Sequence, residues 1–107
     1  MNNIKHEKLR TILKDLAASF LQMETNRTTL ITVTDCKLAD NEKSAKIFLS
    51  VLPADAEEGA LSFAKRKRPE FRAYVRSRVR LKHIPMFDFL IDAGEKKRQR
   101  IDELLRE

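Results

Sequence analysis

Glycine is scarce in this chain, which has only Gly59 and Gly94 among its 107 residues. A phosphate-binding loop or a dinucleotide-binding turn needs several closely spaced glycines, because the backbone must approach the phosphate groups there. The two glycines are far apart in the sequence. Neither type of nucleotide site can therefore be built from this chain.

Cysteine and long apolar runs are scarce as well. Cys36 is the single cysteine, which excludes internal disulfides and thiolate zinc sites and indicates a buried thiol in a strand. No apolar run approaches the roughly 18 residues that a membrane-spanning helix needs, and no signal-peptide pattern is present. The sequence therefore predicts a cytoplasmic protein that does not associate with membranes.

The side chains available do not form a recognisable catalytic set. His6 and His83 are the only histidines, and their basic neighbours favour a surface or phosphate-contacting role over general-base catalysis. Five acids near the predicted strand ends follow no known metal-ligand spacing and are expected to be solvated: Asp35, Asp40, Glu42, Asp88 and Asp92. The sequence thus predicts a binding protein and not an enzyme, with no cofactor, no metal and no small-molecule substrate.

Hydrophobic periodicity divides the chain into helices and strands. Apolar residues at helical spacing predict an amphipathic helix over residues 4–23. Runs rich in β-branched residues predict strands over 30–38 and 45–52, and the short polar turn between them predicts an antiparallel hairpin. A third strand is predicted over 86–91.

Two helices separated by Pro69 are predicted between the second and third strands. The first runs from about residue 55 to 66, with Asp55 and Glu58 at the spacing of an N-terminal capping pair. Pro69 interrupts it, because proline has no amide hydrogen and clashes with the preceding turn. Proline also suits the first turn of a new helix, which is predicted over about 69–81.

The end of the chain completes a two-layer architecture. Pro85 is expected to stop the second of these helices, and a last short helix is predicted over about 95–106. The predicted order is α-β-β-α-α-β plus a short C-terminal helix, with a three-stranded sheet covered by helices, which is an α+β fold. The length of the chain predicts one domain over residues 1–107.

Positive charge is concentrated in residues 65–82, which contain nine lysine or arginine residues and one acid, Glu70. This segment carries +8, whereas the whole chain carries +6, so the remaining residues sum to −2. Charge this local normally has a partner of opposite sign.

Four arginines recur every four residues from Arg68 to Arg80, so a helix places them in one row on its surface. The row lies beside the apolar stripe that includes Phe71 and Val75, and it is predicted to face water. Like charges one turn apart repel each other, and guanidinium groups bind phosphate oxygens in a bidentate manner, so nucleic acid is the favoured partner. Exchange of Arg72 and Arg76 for glutamate is expected to leave folding nearly intact. The predicted RNA-binding residues are Lys65, Arg66, Lys67, Arg68, Arg72, Arg76, Arg78, Arg80 and Lys82.

The basic segment could also serve two purposes that involve no nucleic acid. A merely solvated cationic face would bind nothing, although the shortage of acidic partners in the segment argues against it. An anionic membrane would attract the charge, but Phe71, Val75 and Val79 are needed to cover the sheet and cannot also insert into lipid.

Three stretches resemble the ribosome-binding factor A family. The stretch VTDCKLADNEKSAKIFLSVL (33–52) is similar to the family's hairpin, and FRAYVRSRVRLKHIPMFDF (71–89) is similar to its second helix and third strand. RIDELLRE (100–107) resembles its closing helix. The resemblance covers about residues 5–107 and implies a type II KH-like fold that lacks the usual Gly-x-x-Gly loop.

The chain departs from the family pattern at two places. Family members interrupt the helix at an Ala-x-Gly site, where this chain has Lys67, Arg68 and Pro69. They usually end the first helix with an Asp-Pro-Arg turn, where this chain reads METNRTT (23–29). The first departure concerns the geometry of the helix break, for which Pro69 supplies its own cause.

The resemblance implies a non-enzymatic factor that binds the small (30S) ribosomal subunit and its rRNA. It also implies a role in late maturation of that subunit and in 16S rRNA processing, with particular importance in the cold. The chain is expected to act as a monomer. Two alternatives are a general nucleic-acid-binding domain without ribosomal specificity and a protein-interaction module whose basic helix docks on an acidic partner.

Overall fold

The computed structural model describes residues 2–24, 28–94, 101, 104 and 105. Its elements are α1 (Asn2–Glu24), β1 (Leu30–Leu38), β2 (Ser44–Leu52), a 3-10 turn (Ala54–Ala56), α2 (Glu57–Arg66), α3 (Arg68–Arg78) and β3 (Met86–Ile91). The closing helix predicted over 95–106 lies outside the described residues except for Ile101, Leu104 and Leu105, which are exposed. No helix in the described part of the chain has both the length and the apolar character that crossing a membrane requires.

The sheet has the strand order β1-β2-β3. β1 and β2 form the predicted antiparallel hairpin, with Cα partners from Leu30 and Leu52 to Leu38 and Ala45. β2 and β3 run parallel, because the two helices between them carry the chain back to the same end of the sheet. The sequence predicts all three strands but not this parallel pairing.

The helices α1, α2 and α3 cover one face of the sheet. Alternate strand residues point to that face, as the two-residue period of a strand requires, and they are buried: Cys36, Leu38, Ala45, Ile47, Leu49, Val51, Phe87 and Phe89. α1 contributes a buried stripe at helical spacing that includes Leu13, Ala17 and Phe20. The element order and the one-sided helical layer confirm the predicted type II KH-like α+β fold.

Phe71 lies at the centre of the core and is fully buried. Its ring centroid is 4.6 Å from that of Phe87, 5.3 Å from that of Phe20 and 5.7 Å from that of Phe89, so one α3 side chain joins α1 and β3. Tilted and edge-on aromatic contacts at such distances stabilise a core beyond the area they bury. The prediction that Phe71 lies in the apolar stripe covering the sheet is confirmed.

Burial also determines the chemistry of Cys36, which lies in β1 and is buried as predicted. Desolvation raises the pKa of its thiol to about 11. The thiol is therefore protonated at neutral pH, and a protonated buried thiol is a poor nucleophile.

Two details of the helical predictions are wrong. α3 ends at Arg78 and not near residue 81, because Val79 adopts an extended backbone (φ −130°, ψ 130°), which suits a β-branched residue. Pro85 lies directly before β3 and does not stop the helix. Arg80 is consequently outside the helix on which the arginine row was predicted.

The predicted capping pair at the start of α2 is also wrong. Ala56, the N-cap residue of α2, is the last residue of the 3-10 turn, and no side chain caps the helix. The amide of Ala56 already donates to the carbonyl of Pro53 at 3.0 Å, so the chain is turning before it reaches the helix. Side-chain capping normally uses a residue with an extended backbone, and Asp55 is not at such a position.

Candidate nucleic-acid interface

The helix break predicted at Lys67, Arg68 and Pro69 is a single residue wide. Lys67 (φ −89°, ψ 5°) is both the C-cap residue of α2 and the N-cap residue of α3. Its amide donates to the carbonyls of Phe63 and Ala64, at 3.1 and 3.0 Å, and closes α2. Pro69 lies in the first turn of α3, where backbone amides have no acceptor within the helix. The missing amide hydrogen of proline therefore costs no helical hydrogen bond.

A cleft of about 610 Å³ opens beside the break, between α3 and the start of β3. We call it the break cleft. It is lined by five of the nine predicted residues, namely Lys65, Arg66, Arg68, Arg72 and Arg76, together with apolar groups of Pro69, Ala73, Met86 and Phe87. Cationic groups therefore surround a partly apolar surface.

A second cleft, of about 670 Å³, follows the end of α3 and the segment 79–84. We call it the loop cleft. It shares Arg72 and Arg76 with the break cleft and adds Arg80 and Lys82, so the two clefts form one continuous surface. This basic surface brings together seven of the nine residues predicted from the sequence.

Lys43 also lines the loop cleft, and no local pattern in the sequence indicates that it belongs to the site. It lies in the hairpin turn, far from the basic segment along the chain. The amide of Met86 donates to the carbonyl of Lys43 at 2.9 Å, so the pairing of β3 with the hairpin places this lysine at the cleft. His83 lines the same cleft.

Lys67 and Arg78, the remaining predicted residues, line neither cleft. The Lys67 ammonium lies 3.8 Å from a carboxylate oxygen of Glu24 and 3.6 Å from one of Glu70. The Arg78 guanidinium stacks 3.7 Å from the ring centroid of Tyr74. Both side chains are engaged within the protein and lie outside the two clefts that hold the other seven.

Asp88 shows that two of the basic residues do have an acidic partner. Its Oδ1 atom accepts hydrogen bonds from the Lys65 ammonium at 3.1 Å and from Arg68 Nη1 at 3.2 Å. The amide of Phe89 donates to the same oxygen at 2.9 Å. Burial alone would raise the pKa of the Asp88 carboxyl, but the hydrogen bonds from Lys65 and Phe89 and the charge of Arg68 hold that pKa below its ordinary value.

The expectation of solvated acids therefore fails at several positions. Asp35 pairs with Arg10 at 3.1 Å, Glu42 lies 3.1 Å from His6, and Asp92 accepts a hydrogen bond from Thr34. These partners come from distant parts of the chain, so local spacing did not predict them.

Arg72 is half-buried and does not face water freely, contrary to the sequence prediction. Its Nη2 donates to the carbonyl of Ile84 at 3.0 Å and ties the loop after α3 back to the helix. Its Nε is a buried donor without a hydrogen-bond partner among the described residues. Arg76, by contrast, is exposed as predicted.

Arg72→Ala should lower the free energy of unfolding by about 1–3 kcal/mol, because the Ile84 carbonyl loses its partner in partly buried surroundings. Arg76→Ala is the matched control and should change that free energy by less than about 0.5 kcal/mol. Urea denaturation followed by circular dichroism measures both. Equal losses in the two variants would show that Arg72 does not anchor the loop.

Sequence similarity connects the chain to a family of known proteins. A family model described as ribosome-binding factor A matches residues 5–105. The chain is also 34% identical to ribosome-binding factor A of Thermodesulfovibrio yellowstonii over 103 residues, which cover 94% of this chain and 87% of that protein.

Solved structures share the fold. The crystal structure of ribosome-binding factor A from Thermus thermophilus has a TM-score of 0.72 and 26% identity, covering 79% of this chain and 92% of that chain. A homology model of the Thermus thermophilus factor, fitted into a cryo-electron-microscopy map of a 30S–RbfA complex, has a TM-score of 0.71 and 25% identity. That match covers 80% of this chain and 93% of the fitted chain.

Proposed function

Because this chain belongs to the ribosome-binding factor A family, we propose that it binds the small ribosomal subunit through the basic surface. In this proposal residues 1–107 act as one KH-like RNA-binding domain, in the cytoplasm and as a monomer. The protein holds an arrangement of 16S rRNA during late maturation and does no chemistry on it.

The observation that carries the proposal is the continuity of the basic surface. Seven basic residues from two helices and a loop line two clefts that share Arg72 and Arg76. Arginine forks bind phosphate oxygens in a bidentate manner, and RNA presents such oxygens at regular intervals along its backbone. A flat solvated face would not collect cations from separate elements around two concave sites.

The composition of the break cleft favours RNA over an acidic protein. Pro69, Ala73 and Met86 give it apolar surface beside the cations, and Met86 is 66% exposed. A nucleotide offers both a charged phosphate and a less polar base and sugar, so it can contact both kinds of surface at once. The Thermus factor fitted to the small subunit has the same fold, which supports the ribosomal target.

Sedimentation with purified ribosomal particles tests the proposal. The protein should co-sediment with free small subunits and be depleted from translating ribosomes. If five or six cations meet phosphates, the logarithm of the binding constant should fall with the logarithm of the salt concentration with a slope of roughly −4 to −6.

Deletion of the gene should raise the share of unprocessed 16S rRNA, most of all at low temperature.

Three outcomes would contradict the proposal in different ways. Equal affinity for unrelated structured RNA would favour the general nucleic-acid-binding alternative. A slope near zero in the salt titration would show that the cations of the basic surface do not contact phosphates. Retention of the binding partner after nuclease treatment of a lysate would favour an acidic protein partner.

A further inference from the structure

The Asp88 carboxylate forms ion pairs with two of the cations that line the break cleft. We propose that its carboxylate stands in for an RNA phosphate and must release Lys65 and Arg68 before those residues can bind RNA. Asp88 then sets the threshold for binding at the break cleft. The inference rests on the proposed function, because it concerns the regulation of the same site.

The contact geometry supports a stand-in role. Both cations converge on one oxygen of Asp88, at 3.1 and 3.2 Å, as they would on one phosphate oxygen. The amide of Phe89 donates to that oxygen at 2.9 Å and fixes the carboxylate at the start of β3. Asp88 is thus held by the sheet, whereas the two cations belong to α2 and α3.

The two cations lie on opposite sides of the helix break. Lys65 is in the last turn of α2, and Arg68 is the first residue of α3. Arg68 Nε also donates to the carbonyl of Lys65 at 2.9 Å, which ties the two sides of the break together. Release of both cations from Asp88 therefore removes one contact that each side of the break makes with β3.

Exposure makes such an exchange feasible. The side chains of Lys65, Arg68 and Asp88 are 38%, 46% and 40% exposed, so water already reaches the pair. Exposed ion pairs contribute little to stability, and their loss does not threaten the fold. A single weakly held phosphate competes poorly with a carboxylate already in place, whereas an RNA that engages the whole basic surface can displace it. The carboxylate therefore favours extended, structured RNA over short fragments.

Asp88→Asn tests the inference, and Asp35→Asn is its matched control. Asparagine keeps an oxygen for the Phe89 amide but loses the charge. Asp35 has the same arrangement on β1, since its Oδ1 accepts from the amide of Cys36 and from Arg10. Arg10 lies on α1 and lines neither cleft. The two variants have the same net charge, so any difference between them comes from the position of the charge.

Asp88→Asn should bind small subunits about three- to tenfold more tightly than the unmodified protein, as expected from the release of two exposed ion pairs. It should also lose part of its preference for small subunits over short RNA fragments, whereas Asp35→Asn should change neither property. Equal or weaker binding by Asp88→Asn would overturn the inference and make Asp88 a positioning residue.

Elution from immobilised heparin, a polyanion unrelated to the ribosome, separates this inference from the proposed function. Asp88→Asn should elute at higher salt than Asp35→Asn. If the unmodified protein does not bind small subunits but Asp88→Asn still elutes from heparin at higher salt than Asp35→Asn, the ribosomal target is wrong. The Asp88 mechanism is then still supported. Identical elution of the two variants refutes the Asp88 mechanism, whatever the protein binds in the cell.

Discussion

Simultaneous exchange of Arg76 and Arg80 for glutamate should weaken binding to small subunits on the order of 100-fold at physiological salt. Each lost phosphate contact lowers affinity about fivefold at about 0.15 M salt, and each glutamate adds repulsion from the RNA. Both arginines are exposed, so the free energy of unfolding should change by less than about 1 kcal/mol in total. Sedimentation with small subunits and urea denaturation measure the two quantities.

Lys5→Glu combined with Lys8→Glu is the charge-matched control. These lysines are exposed on α1 and line neither cleft, and their exchange changes the net charge by the same amount. The control should keep most of the affinity, because only the long-range attraction falls. If both double variants lose affinity equally, net charge and not the basic surface determines binding.

Phe71→Ala should lower the free energy of unfolding by about 3–5 kcal/mol, which is a large part of the stability of a small protein. The side chain is fully buried and contacts aromatic rings of α1 and β3, so its removal leaves a cavity that several elements border. Thermal and urea denaturation measure the loss. RNA binding should fall in parallel, because the cleft residues depend on the packing of α3 against the sheet.

Phe48→Ala provides the comparison. Phe48 is only half-buried, and its ring lies 5.4 Å from the Lys37 ammonium, so fewer contacts are lost. Its loss of stability should be well below that of Phe71→Ala. A Phe48 variant as unstable as the Phe71 variant would show that the core does not centre on Phe71.

The sequence predicts the strands well because their pattern is local. Alternation of apolar and polar residues and the content of β-branched types are enough to give Leu30–Leu38 and Met86–Ile91 with their observed bounds. The end of α3 depends instead on distant contacts. The bond from Arg72 to the Ile84 carbonyl and the burial of Ile84 hold the chain after Arg78 against the helix, and neither is visible in local periodicity.

The sequence predicts the positive charge of the site but not which of its basic residues form ion pairs with acids. Nine basic residues in one segment predict an anionic partner, and the fold gathers seven of them. Which cations are already occupied depends on strand positions far along the chain, as Asp88 shows for Lys65. Lys43 reaches the loop cleft only because β3 pairs beside the hairpin.

The parallel pairing of β2 and β3 has a consequence for the order of folding. The β1–β2 hairpin closes across a short turn, whereas α2 and α3 lie between Ser44 and Met86, which pair at the start of the parallel ladder. Closing so long a loop costs more chain entropy than closing a hairpin, so β3 should dock late. Met86 and Phe87 of β3 line the break cleft, which does not exist before that docking. A chain still emerging from a ribosome therefore carries the charge of the basic segment but lacks this cleft, and it acquires the cleft only when β3 is in place.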